Sequence, residues 1–165
     1  MKNLLTYTIS IALCGLLLLS TTAQAGSDCR EVRGTVAAHL VLPAPTTCPM
    51  GSISGVAGDV FDASANLIGT TSACLTSLTP QGNKGALHAT LTHTFVFTAG
   101  ELQGATIGTE DQAVLSPVDL PLLFRVNNNL DITTGGSGFL RTHGKVNFGN
   151  GEVTLRYNGR ICVGS

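Results

Sequence analysis

Apolar and polar residues alternate with a period of two along much of this chain, the pattern of strands with one buried face. In residues 31–42, Val32, Val36, Ala38, Leu40 and Leu42 share one face, and Arg33, Thr35 and His39 take the other. Residues 86–98 alternate more strictly, with Leu87, Ala89, Leu91, Phe95 and Phe97 set against His88, Thr90, Thr92, Thr94 and Thr98. Residues 152–163 place Val153, Leu155, Tyr157, Ile161 and Val163 opposite Glu152, Thr154, Arg156, Asn158 and Arg160. Less regular strands are predicted over 53–62, 67–76, 101–107, 111–116, 122–134 and 145–149.

The breaks carry turn chemistry. Pro43, Pro45 and Pro49 stiffen one loop, Asn83 and Gly85 flank Lys84 in another, and Pro117 and Pro121 are expected to end a strand. Gly149-Asn150-Gly151 is a hairpin signal. Long helical periodicity is absent. About eight or nine short strands in one domain predict an all-β fold, either a closed antiparallel β-barrel or a sandwich.

The first 25 residues break this pattern. Lys2 is followed by an apolar run, Ile9 to Leu19, interrupted by Ser10 and Gly15, and then by Ala23-Gln24-Ala25. A basic start, an apolar middle and small residues at the cut site make a secretory signal peptide, residues 1–25, with the mature domain at 26–165. Cys14 is not a lipidation site by this reading, because Leu13 precedes it where a small residue is wanted. The protein is expected to be periplasmic or secreted, with no membrane attachment once the leader is removed.

Export changes the meaning of the cysteines. Four remain in the mature part, Cys29, Cys48, Cys74 and Cys162, and an oxidising compartment favours two disulfides among them. Three pairings are possible. If the first strand reaches back to Cys29, both Cys29 and Cys162 share the polar parity of the two terminal strands. Pairing of those strands would put both sulfurs on the outer face. The expected bridges are therefore Cys29–Cys162 and Cys48–Cys74. No C-x-x-C occurs and no cysteine lies near a histidine pair, so no metal site and no cofactor are expected. Without the leader, eight basic residues face ten acidic ones, and no basic run offers itself to a nucleic acid.

The C-terminal half contains TEDQAVLSP (109–117), RVNNNLDITTGGSGF (125–139) and YNGRIC (157–162). Residues 85–163 thereby resemble a group of small exported bacterial proteins that share a strand, a G-G-x-G turn and a closing hairpin ending in G-x-[IV]-C. That pattern is similar to the barrel of allene oxide cyclase and dirigent proteins. The resemblance implies a barrel rather than a sandwich. It transfers no activity, because the catalytic residues of those proteins find no matching positions here. The chain also departs from the group after Gly138, where Phe139, Leu140, Arg141, Thr142 and His143 replace the usual small residues.

Candidate site residues follow from parity. His93 lies on the apolar face between Leu91 and Phe95, whereas His88 points the other way, so the two cannot share a metal. Asn128 has the apolar parity of Phe124, Val126, Leu130 and Ile132. His93 and Asn128 are the candidate ligand-binding pair, with Asn128 as the expected hydrogen-bond partner of His93. Glu110 and Asp111 read as a solvated loop. Gly135-Gly136-Ser137-Gly138 reads as a tight turn, and Arg141 and His143 beside it as surface charge. No hydrolase, zinc-protease or EF-hand motif is present, and no catalytic residue is assigned. The reading leans towards a non-catalytic barrel holding a small apolar ligand. A cyclase or isomerase is the alternative, and a buried polar cluster around His93 would favour it.

Overall fold

The structure is a computed structural model that describes residues 28–82, 84–119 and 121–164; the expected leader with its cleavage site, and Asn83, lie outside the described residues. The strands are β1 (Asp28–Val41), β2 (Ser54–Asp62), β3 (Leu67–Gln81), β4 (Ala86–Phe97), β5 (Thr106–Asp119), β6 (Leu123–Thr134), β7 (Ser137–Asn147) and β8 (Glu152–Val163). Each pairs antiparallel with the next, and β8 returns to β1, so the sheet closes as an eight-stranded barrel in simple chain order. Closure leaves no strand edge open to pair with another chain.

The alternation read from the sequence is the inside–outside alternation of this wall. Val36, Ala89, Phe95, Phe97, Ile107, Leu130, Val153 and Ile161 are buried within it. Several predicted boundaries change. Residues 101–107 and 111–116 are not two strands: Gly100–Leu102 forms a 3₁₀ turn, and Thr106–Asp119 runs unbroken through Glu110 and Asp111. Pro117 does not end that strand but sits beside a register shift between Pro117 and Asp119, where a residue without an N–H cannot serve the ladder. The strand expected at 145–149 begins earlier, at Ser137. Gly135-Gly136 alone makes the turn before it. Gly135 has φ +74°, and a Cβ there would lie 1.8 Å from the Thr106 carbonyl oxygen, so only glycine fits.

Both expected disulfides are present. Cys29 and Cys162 face each other in the β1–β8 register, with Cα atoms 3.9 Å apart, because β1 does reach back to Asp28. Cys48–Cys74 ties the proline-rich loop between β1 and β2 to β3, with Cα atoms 5.5 Å apart. Two intramolecular bridges suit an oxidising compartment. Among the described residues, no helix is long and apolar enough to cross a membrane.

One end of the barrel is plugged. Ile107 and Ile161 are fully buried there, Leu130 is nearly so, and Leu102 from the 3₁₀ turn packs against the same cluster. Tyr157 belongs to this plug, and its hydroxyl donates to the Phe61 carbonyl over 3.1 Å. Burial, helped by the negative charge of Asp62, pushes the Tyr157 phenol up from 10.0 to about 12. Folding therefore holds the proton more tightly than the unfolded chain does. This contribution is complete below pH 10 and is lost as pH rises towards about 12. Tyr157 is the only tyrosine beyond the expected leader, so absorbance titration of the mature protein reads it alone. The phenolate step should appear near pH 12, and a step at pH 10 would refute the burial argument. Tyr157→Phe should remove this part of the alkaline loss of stability.

Candidate functional site

The other half of the barrel is not filled. A cavity of about 80 Å³ lies inside it, and its wall is almost entirely apolar, with Leu40, Leu75, Leu91, Leu115, Val126 and Phe148 among the lining residues. On this scale a single water needs roughly 10–15 Å³, so the space holds several waters or one small organic group. Leu40, Val56, Leu78 and Leu91 point inward yet remain partly exposed, which marks the open side at the end that carries the β1–β2 loop.

Polar groups close the inner end of this space. His93 and Asn128 both line the cavity, in agreement with their inward parity. They do not bond to each other as expected. Both turn to a third residue, Asp111. His93 Nδ1 is hydrogen-bonded to Asp111 Oδ2, and Asn128 Nδ2 donates to the same oxygen over 3.4 Å. Thr109 Oγ1 donates to the other carboxylate oxygen over 2.6 Å. The register explains the convergence. His93 pairs with Thr109 and Asn128 with Ala113, so each reaches Asp111 on the diagonal, from opposite sides.

The expectation of a solvated Glu110–Asp111 loop is therefore corrected. The strand continues through both residues, Glu110 points out, and Asp111 points in at 2% exposure. A buried carboxylate is tolerated only when its oxygens are satisfied, and three side chains do so here. The signal was present in the sequence: Asp111 has the parity of Ile107, Thr109, Ala113 and Leu115. The acidic neighbour Glu110 disguised it as surface.

The chemistry of this cluster is directional. Where the Asp111 carboxyl is ionised it only accepts, and the proton of this bond is then carried on His93 Nδ1. Nε2 makes no hydrogen bond to any described residue, and it is the ring nitrogen left for an occupant of the cavity. Asn128 Oδ1 and Thr142 Oγ1 are also buried without a hydrogen-bond partner among the described residues. Asn128 and Thr142 are cross-strand partners on β6 and β7. Unsatisfied buried polar atoms cost roughly 1–3 kcal/mol each, a cost that a polar group of a ligand or a water would relieve. Among the described residues, no cluster of three or more histidine, cysteine or acidic side chains could hold a metal ion. The chain matches no protein-family model, and a search of curated proteins finds no match either.

Proposed function

We propose that this is an exported, disulfide-stapled barrel that binds a small, largely apolar molecule in its interior. The molecule enters with its polar end towards His93 and Asn128, and its hydrocarbon part lies against the leucine and valine side chains. The observation that supports this most is the apolar cavity whose one polar end is a cluster with unsatisfied hydrogen-bonding capacity. Ligand sites commonly have this composition: an apolar wall and a few convergent polar groups. The polar end of the occupant would be a hydroxyl group, able to donate its one proton to Asn128 Oδ1 or to His93 Nε2.

A second reading is supported by the His93–Asp111 pair. A histidine oriented by a buried carboxylate at the inner end of an apolar cavity is suited to general-base work. Together with the resemblance of residues 85–163 to allene oxide cyclase-like barrels, it supports a cyclase or isomerase that moves a proton of a bound apolar substrate.

His93→Phe tests the first reading and separates it from the second. Small molecules released from the protein purified from its native host would be identified by mass spectrometry, and the strongest ligand titrated calorimetrically. Loss of the polar end should weaken binding by about tenfold, the value of one hydrogen bond to a charged or polarised group. Unchanged affinity in a folded variant would overturn the assignment of the polar end to His93. Turnover of that ligand by the native barrel, abolished in His93→Phe, would replace binding with catalysis.

A further inference from the structure

The outer wall of the barrel carries a second feature, independent of the cavity. Its residues are spread over four strands, and the register collects them into one patch. Reading across β1, β8, β7 and β6, one row is Arg33, Asn158, Arg141 and Asn129. The next is Thr35, Arg156, His143 and Asn127, and the third is Ala37, Thr154, Lys145 and Arg125. All twelve positions are solvent-exposed. They hold five permanent cations, one histidine and no acid, in a chain whose mature part has more acids than bases. The nearest acids are Asp59, beside Ala37 on β2, and Glu31, Asp131 and Glu152 in the rows above and below, with Arg160 between Glu31 and Asp131; Asp62 lines a surface hollow with Arg33, His143 and Arg156. None of the five cations forms an ion pair with any described residue; the only such pair on this side, Arg30–Asp28, is at the rim.

Neighbouring strands are about 4.8 Å apart and successive outward residues about 6.8 Å apart, so the cations form a dense two-dimensional lattice. Like charges at this spacing repel, and an unpaired set of them is relieved by a polyanion. We infer that this wall is a binding surface for a linear acidic polysaccharide. Three features favour that partner. Arginine forks match carboxylate and sulfate oxygens in bidentate geometry. Asn127, Asn129 and Asn158 alternate with the arginines and offer both a donor and an acceptor to sugar hydroxyls. Phe139, 45% exposed and with the Arg141 guanidinium 5.6 Å from its ring centre, stands at the edge of the lattice as the one large exposed apolar side chain on these strands. A single ring suits the apolar face of one sugar, whereas anchorage in a lipid surface needs a broader apolar face.

The test uses the disulfide-bonded protein and alginate, a polymer of uronic acids, with dextran as the neutral control. Binding to alginate should be measurable at low salt, absent on dextran, and reduced by added salt. Arg141→Gln combined with Arg156→Gln should weaken it by about tenfold or more, since each removes a cation from the centre of the lattice. Lys84→Gln, which removes a cation from the β3–β4 turn, should leave it unchanged. Thermal melting of each variant confirms that it is folded. No binding to alginate, or equal loss in Lys84→Gln and in the double variant, would overturn the inference. So would tighter binding to duplex DNA or to phosphatidylglycerol vesicles than to alginate, which would give the wall a different partner. The cavity is not involved, and failure here leaves the interior reading untouched.

Discussion

Replacing Cys29 and Cys162 together by serine should lower the unfolding free energy by about 5 kcal/mol in the chain-entropy model of cross-linking. The figure follows from the sequence separation of 133 residues, the longest loop that any bridge in this chain closes. The Cys48–Cys74 bridge spans 26 residues, and its removal should cost less, about 3.5 kcal/mol by the same relation. Whole domains are stable by only about 5–15 kcal/mol, so the first variant should sit near the limit of folding. Urea unfolding of the two double-serine variants checks both the size and the order of the effects. An equal or smaller loss for Cys29/Cys162 would mean that the strand pairing of β1 with β8 holds without the bridge, and that the denatured chain keeps those ends close.

The second large effect is expected at Asp111. Asp111→Ala removes the acceptor of His93, Asn128 and Thr109 at once and leaves their polar atoms buried. Leaving buried polar groups without their hydrogen-bond partner costs about 1–3 kcal/mol for each. Asp111→Asn should cost less, because it keeps the volume and one oxygen acceptor. It has a sharper chemical consequence, however: the new amide can donate to His93 Nδ1, which would move the ring proton to Nε2. Nitrogen chemical shifts of His93 should report that reversal. If proton transfer by His93 is the function, turnover should collapse in Asp111→Asn while the fold survives. If the barrel only binds, affinity for a ligand that donates to Nε2 should fall and affinity for one that accepts should rise. A ring with an unaltered tautomer in Asp111→Asn would show that the carboxylate does not set it.

The legible parts of this molecule were those written in parity. The inward placement of His93 and Asn128 needs only the rule that strand residues alternate faces, and the matching of Cys29 with Cys162 needs in addition that the two terminal strands pair. What parity alone lacks is register. Nothing in the order of residues says that His93 and Asn128 straddle Asp111, because each meets it across a strand boundary and on the diagonal. Asp111 is hidden for a related reason: Glu110 beside it makes a local acidic pair, and local composition suggests solvent although the strand runs through. The cationic wall was hidden more completely. Arg33, Arg125, Arg141, Lys145 and Arg156 are scattered over four strands, so a search for basic runs passes over them, and only the closed sheet makes them neighbours.

The pairing of β1 with β8 also sets how the molecule can be held. The first strand starts, and the last one ends, at the plugged end of the barrel, beside the bridge of Cys29 and Cys162. The cavity opens at the opposite end. Any surface, scaffold or neighbouring domain joined directly to Asp28 or to Val163 would therefore sit behind the barrel and leave the opening facing outward. The same nearness makes the stretch from Asp28 to Val163 almost a ring. Joining its ends by a short linker and cutting it within the exposed turn between β3 and β4 would keep every strand next to its present neighbours. The covalent order of the chain would change, but the direction in which the barrel presents its interior would not.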